Sequence, residues 1–405
     1  MDSLRQLFRI GKGPSSSHTI APTRAATMFS KRFPQAKGFE VTLYGSLAAT
    51  GKGHLTDVAI LQVLEPLAPT TIVWRADIVH SFHTNGMLFR ALDNEGQELG
   101  QWTVYSVGGG ALSEGPGKGN IIPVRDIYPL HTLAEIQQWC QGRGAGYWQY
   151  VEECEGPEIW DFLHEIWETM KQAVRNGLEN EGTLPGPLNL SRKASNYYVK
   201  AQSFKPSLQG RSLVYAYALA VSEENASGGT IVTAPTCGAS GVVPAVLYHL
   251  EHGHGFTETK MLRALATAGL FGNVVKQNAS ISGAEVGCQG EVGVACAMAS
   301  AAACQLFGGT PAQIEYAAEM GLEHHLGMTC DPVCGLVQIP CIERNAFAAC
   351  RALDAQLYAN ISDGQHQVSF DHVVEVMKQT GHDLPSLYKE TAEGGLAKSS
   401  RFASK

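Results

Sequence analysis

Long runs of one kind of residue are missing from this chain of 405 residues, and each absence excludes a class of protein. No block of Lys or Arg occurs, the formal charge is -8 and the pI is near 6.0, so no binding surface for nucleic-acid phosphates is expected. The first residues, MDSLRQLFRIGKGPSS, lack the apolar stretch of roughly 7 to 15 residues of a secretory signal, and no window of about 18 apolar residues could span a bilayer. We therefore expect a cytoplasmic protein without a membrane or nucleic-acid partner.

The composition is that of a globular protein, with 44% hydrophobic and 17% charged residues. The length is sufficient for two or three domains, each with its own core. No internal repeat of fixed period and no low-complexity tract is found, so a solenoid or a disordered chain is not expected.

The hydrophobic pattern changes between the two halves of the chain. Between residues 39 and 107, FEVTLYGSLA and TTIVWRADI are β-branched and aromatic runs separated by glycine, which favours strands. Further on, DFLHEIWETMKQAVRNGLE and RSLVYAYALAVSEENA place apolar residues at helical spacing, and strand signals almost vanish. We place the boundary near Cys154 and predict an α+β domain over residues 1–153, followed by an all-α domain over residues 154–405.

The chain has ten cysteines, which is a high number for a protein without an export signal. In the cytoplasm such thiols stay reduced, so disulfides are not expected. Five of them are interpreted as small buried hydrophobic residues, namely Cys140, Cys154, Cys296, Cys304 and Cys350.

The other informative cysteines concentrate in one short apolar segment, MTCDPVCGLVQIPCIER, which holds Cys330, Cys334 and Cys341, and Cys288 lies upstream in AEVGCQGEVG. A metal or a cluster explains these thiols better than a disulfide does. A zinc site would favour CxxC pairs, whereas Cys288, Cys330 and Cys341 are separated by 41 and 10 residues. Iron-sulfur clusters accept scattered thiolates, and three ligands would leave one iron open, but the spacing alone does not identify the metal.

Near the N-terminus, GKGPSSSHTIAP places three hydroxyls and His18 between a Gly-Pro turn and a predicted helix that begins in TRAATMFSKRF. Ser15, Ser16 or Ser17 could cap that helix. The same free N–H groups could also hold a carboxylate. Both interpretations remain open from these residues.

His54 lies in the glycine-containing loop TGKGHLTD, after a predicted strand. Asp57, three residues on, is a partner that could fix the tautomer of the ring. His83 in FHTNGM and the glycine triplet Gly108–Gly110 are similar features, each of them weak on its own. An ordinary surface histidine explains His54 equally well at this level.

Eight segments taken together resemble one family in the same order along nearly the whole chain. They are GKGPSSSHT, GKGHLTD, HTNGM, YSVGGG, ENASGGTIVTAPTCGASGVVPA, GCQGEVGVACAMASAA, EHHLGMTCDPVCGLVQIPCIERNA and YKETAEGGLA, spread from Gly11 to Ala397. The chain resembles the iron-sulfur-dependent L-serine dehydratases, in the form that carries both regions on one polypeptide.

The resemblance implies a fold, a reaction and a cofactor. The expected fold is an N-terminal α+β domain, similar to the allosteric substrate-binding domain of some phosphoglycerate dehydrogenases, followed by an all-α catalytic domain. The expected enzyme converts L-serine to pyruvate and ammonia with a 4Fe-4S cluster, whose ligands carry over onto Cys288, Cys330 and Cys341. A domain of this kind also suggests a homodimer.

The chemistry of serine dehydration agrees with these residues. An open iron would act as a Lewis acid on the serine hydroxyl, and a base that is neutral near pH 7 must take the α-proton, which suits histidine. We favour His54 as the base, with His18 as the second choice, at an active site between the two domains. The candidates for holding the substrate are Ser15, Ser16, Ser17, Asn85 and Asn225, and Ser227 and Gly228 are expected near the cluster.

The sequence differs from the family in two places. Many single-chain relatives end in a cysteine that reaches the fourth iron, but this sequence ends in GGLAKSSRFASK. In addition, Cys334 stands where relatives commonly have glycine. One hypothesis is that Cys334 replaces the missing ligand; the simpler interpretation is that it has no role in the cluster.

Two rival functions use other features of the same sequence. A pyridoxal phosphate lyase could hold its phosphate in GGTIVTAPTCGASG and form an aldimine with Lys193, but it would leave the cysteines without a purpose. A small-molecule sensor could bind an amino acid in the N-terminal domain and use a cluster or zinc as a structural element. Threonine and cysteine also remain alternative substrates, because one methyl or one sulfur changes the binding energy by only about 1 to 3 kcal/mol.

Overall fold

The computed structural model describes residues 1–118, 121, 126–391 and 393–399, and it divides them between a mixed sheet with helices and a larger helical assembly. The strands are β1 Ile10–Lys12, β2 Gly38–Tyr44, β3 Thr70–Arg75, β4 Gly86–Leu92, β5 Glu98–Ser106, β6 Leu112–Ser113 and β7 Thr230–Val232. The helices up to the middle of the chain are α1 Ala21–Arg32, α2 Gly45–Ala49, α3 Thr56–Leu64, α4 Leu133–Arg143, α5 Tyr147–Glu155, α6 Ile159–Glu179, α7 Ala194–Gln202 and α8 Pro206–Ala226. The later helices are α9 Val242–His254, α10 Glu258–Asn278, α11 Gly283–Val286, α12 Val292–Leu306, α13 Pro311–Glu323, α14 Cys341–Ile361, α15 Phe370–Asp383 and α16 Gly395–Ser399.

The N-terminal sheet has five strands in the order β3-β2-β4-β5-β6, in which β2 and β3 run parallel and the other neighbours run antiparallel. The connection from β2 to β3 passes through α2 and α3, as a parallel pair requires. Phe39, Val41 and Leu43 alternate along β2 and pack with Phe29 of α1 and Ile60 of α3 in one buried cluster. The predicted α+β class of this region is confirmed.

The second half of the described chain is helical, as predicted, apart from the three-residue strand β7. Helix α12 lies at its centre, because its sequence VGVACAMASAAACQL consists of small and apolar residues that are buried almost throughout. Small residues let the neighbouring helix approach closely: a Cβ added at Gly321 of α13 would lie 3.0 Å from the backbone of Ala297. No helix in the described part of the chain combines the length and the apolar character that crossing a bilayer requires.

The predicted boundary between residues 153 and 154 falls inside α5 and stays a prediction, while two buried clusters show how the described residues pack. Met1, Leu4 and Phe8 are buried in the core of the helical unit, and so is Tyr128. The buried residues of the sheet unit run only from Ala21 to Leu112. Residues that precede and follow the sheet unit in the sequence therefore pack in the helical unit. Strand β1 of the N-terminal segment pairs with β7 of the helical unit.

Candidate active site

His18 lies in a short π-helix, Ser16–Ile20, that leads directly into α1. The hydroxyl of Ser15 caps this turn and accepts the backbone N–H of His18 at 3.1 Å. The imidazole is fully buried, and its Nε2 lies 3.0 Å from Oγ1 of Thr50 and 3.3 Å from the carbonyl oxygen of Ser46. Because a carbonyl oxygen can only accept, we assign the proton of His18 to Nε2.

His54 is buried beside His18, with the two ring centroids 4.3 Å apart. Its Nδ1 lies 3.2 Å from the carbonyl oxygen of Thr50, so the same reasoning assigns the proton to Nδ1 and leaves the lone pair of Nε2 free to accept. The prediction that Asp57 fixes the tautomer of His54 is wrong, because the Thr50 carbonyl oxygen has that role. The Asp57 carboxylate instead accepts the N–H of Val58 in the first turn of α3.

Burial determines the protonation state of both rings. Desolvation lowers the pKa of His54 from 6.5 to about 4. Desolvation also lowers the pKa of His18, and the positive charge of a protonated His54 would lower it further. Both rings are therefore neutral at pH 7, which is the state that a general base requires.

The candidate cluster cysteines come from three separate segments of the helical unit. Cys288 forms a 3-10 turn before α12, Cys330 lies in an extended segment, and Cys341 is the first residue of α14. The sulfurs of Cys288 and Cys330 and a carboxylate oxygen of Glu291 all lie within 4.8 Å of one another. Cys341 is not one of the residues whose ligand atoms meet within this distance, but burial and the charge of Cys288 raise the pKa of its thiol. All three thiols are buried.

Arg344 provides the positive charge beside these thiols. A hydrogen bond from Cys330 is the main cause that lowers the pKa of Cys288 to about 6, and the charge of Arg344 contributes. The same hydrogen bond raises the pKa of Cys330, so the pair tends to share one proton. Burial acts to lower the pKa of Arg344, but the negative charges of Cys288 and Cys341 more than offset it.

Glu390 connects the histidines to the thiols, and the sequence analysis did not identify it. Its backbone N–H donates to the carbonyl oxygen of Cys330 at 2.8 Å, and its Oε1 lies 3.6 Å from Nδ1 of His18. The ligand atoms of His18, His54 and Glu390 lie within 4.8 Å of one another. Its φ of 58° lies in the left-handed region, which a residue with a side chain adopts only when the surroundings hold it there.

Two carboxyl groups are thus part of the site, and both prefer the neutral form. Burial, followed by the charge of Cys288, raises the pKa of Glu390 to about 8 and that of Glu291 well above its usual range. Both residues lie in segments that carry the family resemblance, YKETAEGGLA and GCQGEVG. That position was the only signal, because carboxylates are too common in sequences to stand out.

The predicted substrate residues differ in whether their polar side-chain atoms already have hydrogen-bond partners within the protein. Ser15 lies with its hydroxyl 3.4 Å from Nδ1 of His18, whereas the hydroxyl of Ser16 accepts the N–H of Cys237 at 2.9 Å. Ser17 is buried in the same turn. Among the described residues, the buried side-chain amide of Asn85 has no hydrogen-bond partner on either atom. A buried, unpaired amide is costly unless something binds it, so Asn85 is well suited to hold a ligand.

Asn225 has a supporting position, and Ser227 and Gly228 follow it at the end of α8. Its amide nitrogen donates to the carbonyl oxygen of Pro14 at 2.9 Å, which holds the segment before the three serines. A Cβ at Gly13 would lie 2.3 Å from the Asn225 amide oxygen, so only glycine fits there.

The donor set fits a sulfur-coordinated metal centre. Thiolates are soft ligands that select zinc or iron-sulfur clusters, and buried ligands on separate rigid elements with one neighbouring guanidinium suit a negatively charged cluster. Cys288, Cys330 and Cys341 are the residues that would hold it, with Glu291 against them: its Oε2 lies 3.9 Å from Sγ of Cys288.

Two further predictions concern residues at the margin of the site. Cys334 lines a cavity of about 240 Å³ with Lys52 and Leu55, outside the group formed by Cys288, Glu291 and Cys330. That Cys334 has no role in a cluster stays a prediction, because Cys341 is absent from the same group. Lys193, the aldimine candidate of the rival function, is exposed and pairs with Glu343 at 3.4 Å.

Comparison with known proteins gives full-length matches. The model of the serine dehydratase beta chain matches residues 3–75, and that of the serine dehydratase alpha chain matches residues 88–397. The chain is 44% identical to the L-serine dehydratase of Streptomyces coelicolor over 98% of both chains. It is 40% identical to L-serine dehydratase TdcG of Escherichia coli and 39% identical to the L-serine dehydratase of Haemophilus influenzae, each over 98% of this chain and 99% of the relative.

Proposed function

We propose, on the premise that this chain belongs to the L-serine dehydratase family, that it is an L-serine ammonia-lyase. The reaction would remove the α-proton and the β-hydroxyl of L-serine, which gives water and 2-aminoacrylate. The aminoacrylate then tautomerises to an imine, which hydrolyses to pyruvate and ammonia. A cytoplasmic location and a homodimer remain predictions.

One observation carries this proposal: the ligand atoms of His18, His54 and Glu390 lie within 4.8 Å of one another, and the backbone N–H of Glu390 donates to the carbonyl oxygen of Cys330, one of the grouped thiol residues. When bound by Cys288, Cys330 and Cys341, a 4Fe-4S cluster would supply a Lewis-acidic iron for the serine hydroxyl. The site is buried, which strengthens electrostatic interactions within it and excludes competing water.

His54 is our proposed base. Its Nδ1–H donates to the Thr50 carbonyl, which fixes the ring and keeps the lone pair of Nε2 ready to take the α-proton. His18 has its proton on Nε2 and would present Nδ1 towards Ser15 and Glu390. This arrangement makes His18 a positioning partner, with Ser15 and Asn85 available for the substrate carboxylate.

Glu390 is our candidate for the α-ammonium group of serine. Its carboxyl faces a histidine whose pKa is lowered, so it has no cationic partner on that side among the described residues. A substrate ammonium would provide the missing positive charge and would convert the neutral carboxyl to a carboxylate. The same residue would thus orient the substrate between His54 and the thiols.

The test is a pyruvate assay after anaerobic reconstitution with iron and sulfide. We expect turnover of L-serine and little of D-serine. His54→Ala should lower kcat by about 100- to 10,000-fold, the range of general-base catalysis, while the absorbance of the cluster is unchanged. His252→Ala, at an exposed position on α9, is the control. Full activity of the His54 variant would show that another group is the base.

A further inference from the structure

A cavity of about 570 Å³ lies where the N-terminal segment meets the sheet unit, and its charged lining is entirely basic in the described part of the chain. The side chains that line it include Arg5, Arg9, Lys12 and Arg24. A cavity of this size is sufficient for a small metabolite. We call it the arginine cavity.

Arg9 and Arg24 have neutral hydrogen-bond partners. Arg9 donates to the carbonyl oxygen of Gly109 and, at 2.9 Å, to the amide oxygen of Gln6. Arg24 donates to the carbonyl oxygen of Gly110 at 2.6 Å. The backbone carbonyl oxygens of Gly109 and Gly110, in the glycine triplet, therefore hold both guanidiniums in place.

The two guanidiniums lie in an environment that disfavours their charge. Burial lowers the pKa of Arg9 to about 10, and the charge of Arg24 lowers it further. Burial lowers the pKa of Arg24 as well. The carboxylate that acts on Arg9, Asp2, is itself bound by Lys276 at 2.8 Å. The positive charge of the cavity is thus not balanced by the residues around it.

We propose that the arginine cavity binds a small oxyanion, through a carboxylate or phosphate group held by Arg9 and Arg24 with Lys12 beside them. Guanidiniums bind both groups through paired N–H bonds, and partial burial makes such bonds stronger than they are at the surface. Lys12 is exposed on β1 and supplies a further positive charge at the edge of the cavity. A neutral or cationic ligand would not relieve the repulsion between the two arginines.

The position of the arginine cavity separates it from the active site but keeps the two in contact. Thr19 and Leu55 line the cavity, and the hydroxyl of Thr19 donates to the carbonyl oxygen of His54 at 2.9 Å. On the other side, a Cβ at Gly108 of the triplet would lie 3.2 Å from Ser282, at the start of α11. A ligand in the cavity would therefore contact Thr19, which supports the histidine half, while Gly109 and Gly110, which bind the two arginines, adjoin the segment before α11.

The experiment measures anion binding to the reconstituted enzyme without substrate. Inorganic phosphate and malonate are titrated in separate calorimetric experiments, with the ionic strength held constant by chloride. We expect saturable binding of at least one of the two, and the stronger binder identifies the source of the oxyanion. Arg24→Gln should weaken that binding by about tenfold or more, as the loss of a charge-assisted hydrogen bond implies.

Two further variants make the test decisive. Lys12→Gln removes an exposed charge, so it should fold normally and weaken binding by about threefold. Arg143→Gln removes an exposed arginine on α4 that pairs with Glu153, and it should bind as the unmodified enzyme does. No saturable binding of either anion, or equal binding by all three variants, overturns the proposal. Turnover is not measured, so the result is independent of the proposed dehydratase activity.

Discussion

The two halves of the candidate site are both buried, but they manage charge in opposite ways. In the histidine half, formed by His18 and His54, each ring is neutral and makes a hydrogen bond that assigns its tautomer. The protein alone therefore fixes the protonation state of both rings. The sulfur half contains thiols and the carboxyl group of Glu291, which would repel one another when ionised, with Arg344 as a neighbouring cation. The histidine half thus has its hydrogen bonds in place, whereas the thiols of the sulfur half have the chemistry of metal ligands.

Among the comparisons of the two halves, the largest effect should be the loss of bound metal when one thiol of the sulfur half is removed. Cys330→Ala is expected to lose most of the bound iron and sulfide after reconstitution. Turnover should fall by at least about 100-fold, because mutating residues that only hydrogen-bond to a metal ligand already costs up to about 100-fold. The measurement is the iron and acid-labile sulfide content per chain, with the pyruvate assay beside it.

The matched control is Cys296→Ala on α12. Cys296 is also fully buried, but its thiol lies 3.4 Å from the carbonyl oxygen of Ala348 and outside the group of Cys288 and Cys330. It should keep its iron and its activity. If Cys330→Ala and Cys296→Ala retain the same amount of iron, the two thiols do not differ in the way that the comparison requires.

Sequence reasoning indicated a metal or cluster because several cysteines lie in one short segment, and the family resemblance supplied the ligand set, which stays a prediction. It did not identify Glu390 or Arg344, because what distinguishes them is burial next to thiols, and burial depends on the fold. Two backbone hydrogen bonds join the segments of Cys330 and Glu390, which are far apart in the sequence: the N–H of Cys330 donates to the carbonyl oxygen of Tyr388, and the N–H of Glu390 donates to the carbonyl oxygen of Cys330. No local pattern predicts such a pairing.

The fold shows the same division between local and long-range information. Alternation along β2 and helical spacing in α6 predicted the two kinds of structure correctly. The packing of Met1 and Phe8 in the helical core, and the pairing of β1 with β7, connect segments that are distant in the sequence. Such long-range packing cannot be predicted from local patterns, and the domain boundary near Cys154 stays a prediction.

The second prediction tests whether the histidine half is neutral. Unfolded His54 binds a proton near pH 6.5, whereas folded His54 does so only near pH 4. Between these pH values the unfolded state binds more protons than the folded state. The contribution of neutral His54 to the free energy of unfolding is therefore fully present above pH 6.5 and is lost as the pH falls towards 4. The full shift corresponds to roughly 3 kcal/mol, of which roughly 2 kcal/mol is lost by pH 5.

The measurement compares the free energy of unfolding in urea at pH 7 and pH 5. His54→Gln, which cannot take up this proton, should lose roughly 2 kcal/mol less than the unmodified chain over that interval. His252→Gln, at an exposed position, should lose as much as the unmodified chain does. Equal losses in all three proteins would mean that His54 is not held neutral by burial.

The smallest effect concerns Glu390, where the two halves meet, and it tests whether that residue belongs to the substrate. Glu390→Gln keeps the size of the side chain and the backbone hydrogen bond to Cys330, but it cannot become a carboxylate opposite an ammonium group. We expect the KM for L-serine to rise about tenfold, the equivalent of about 1.4 kcal/mol, while the iron content stays unchanged. Glu343→Gln is the control, because Glu343 lies two residues after Cys341 in the first turn of α14 and its side chain is exposed. A variant with an unchanged KM and a lower iron content would instead place Glu390 with the sulfur half.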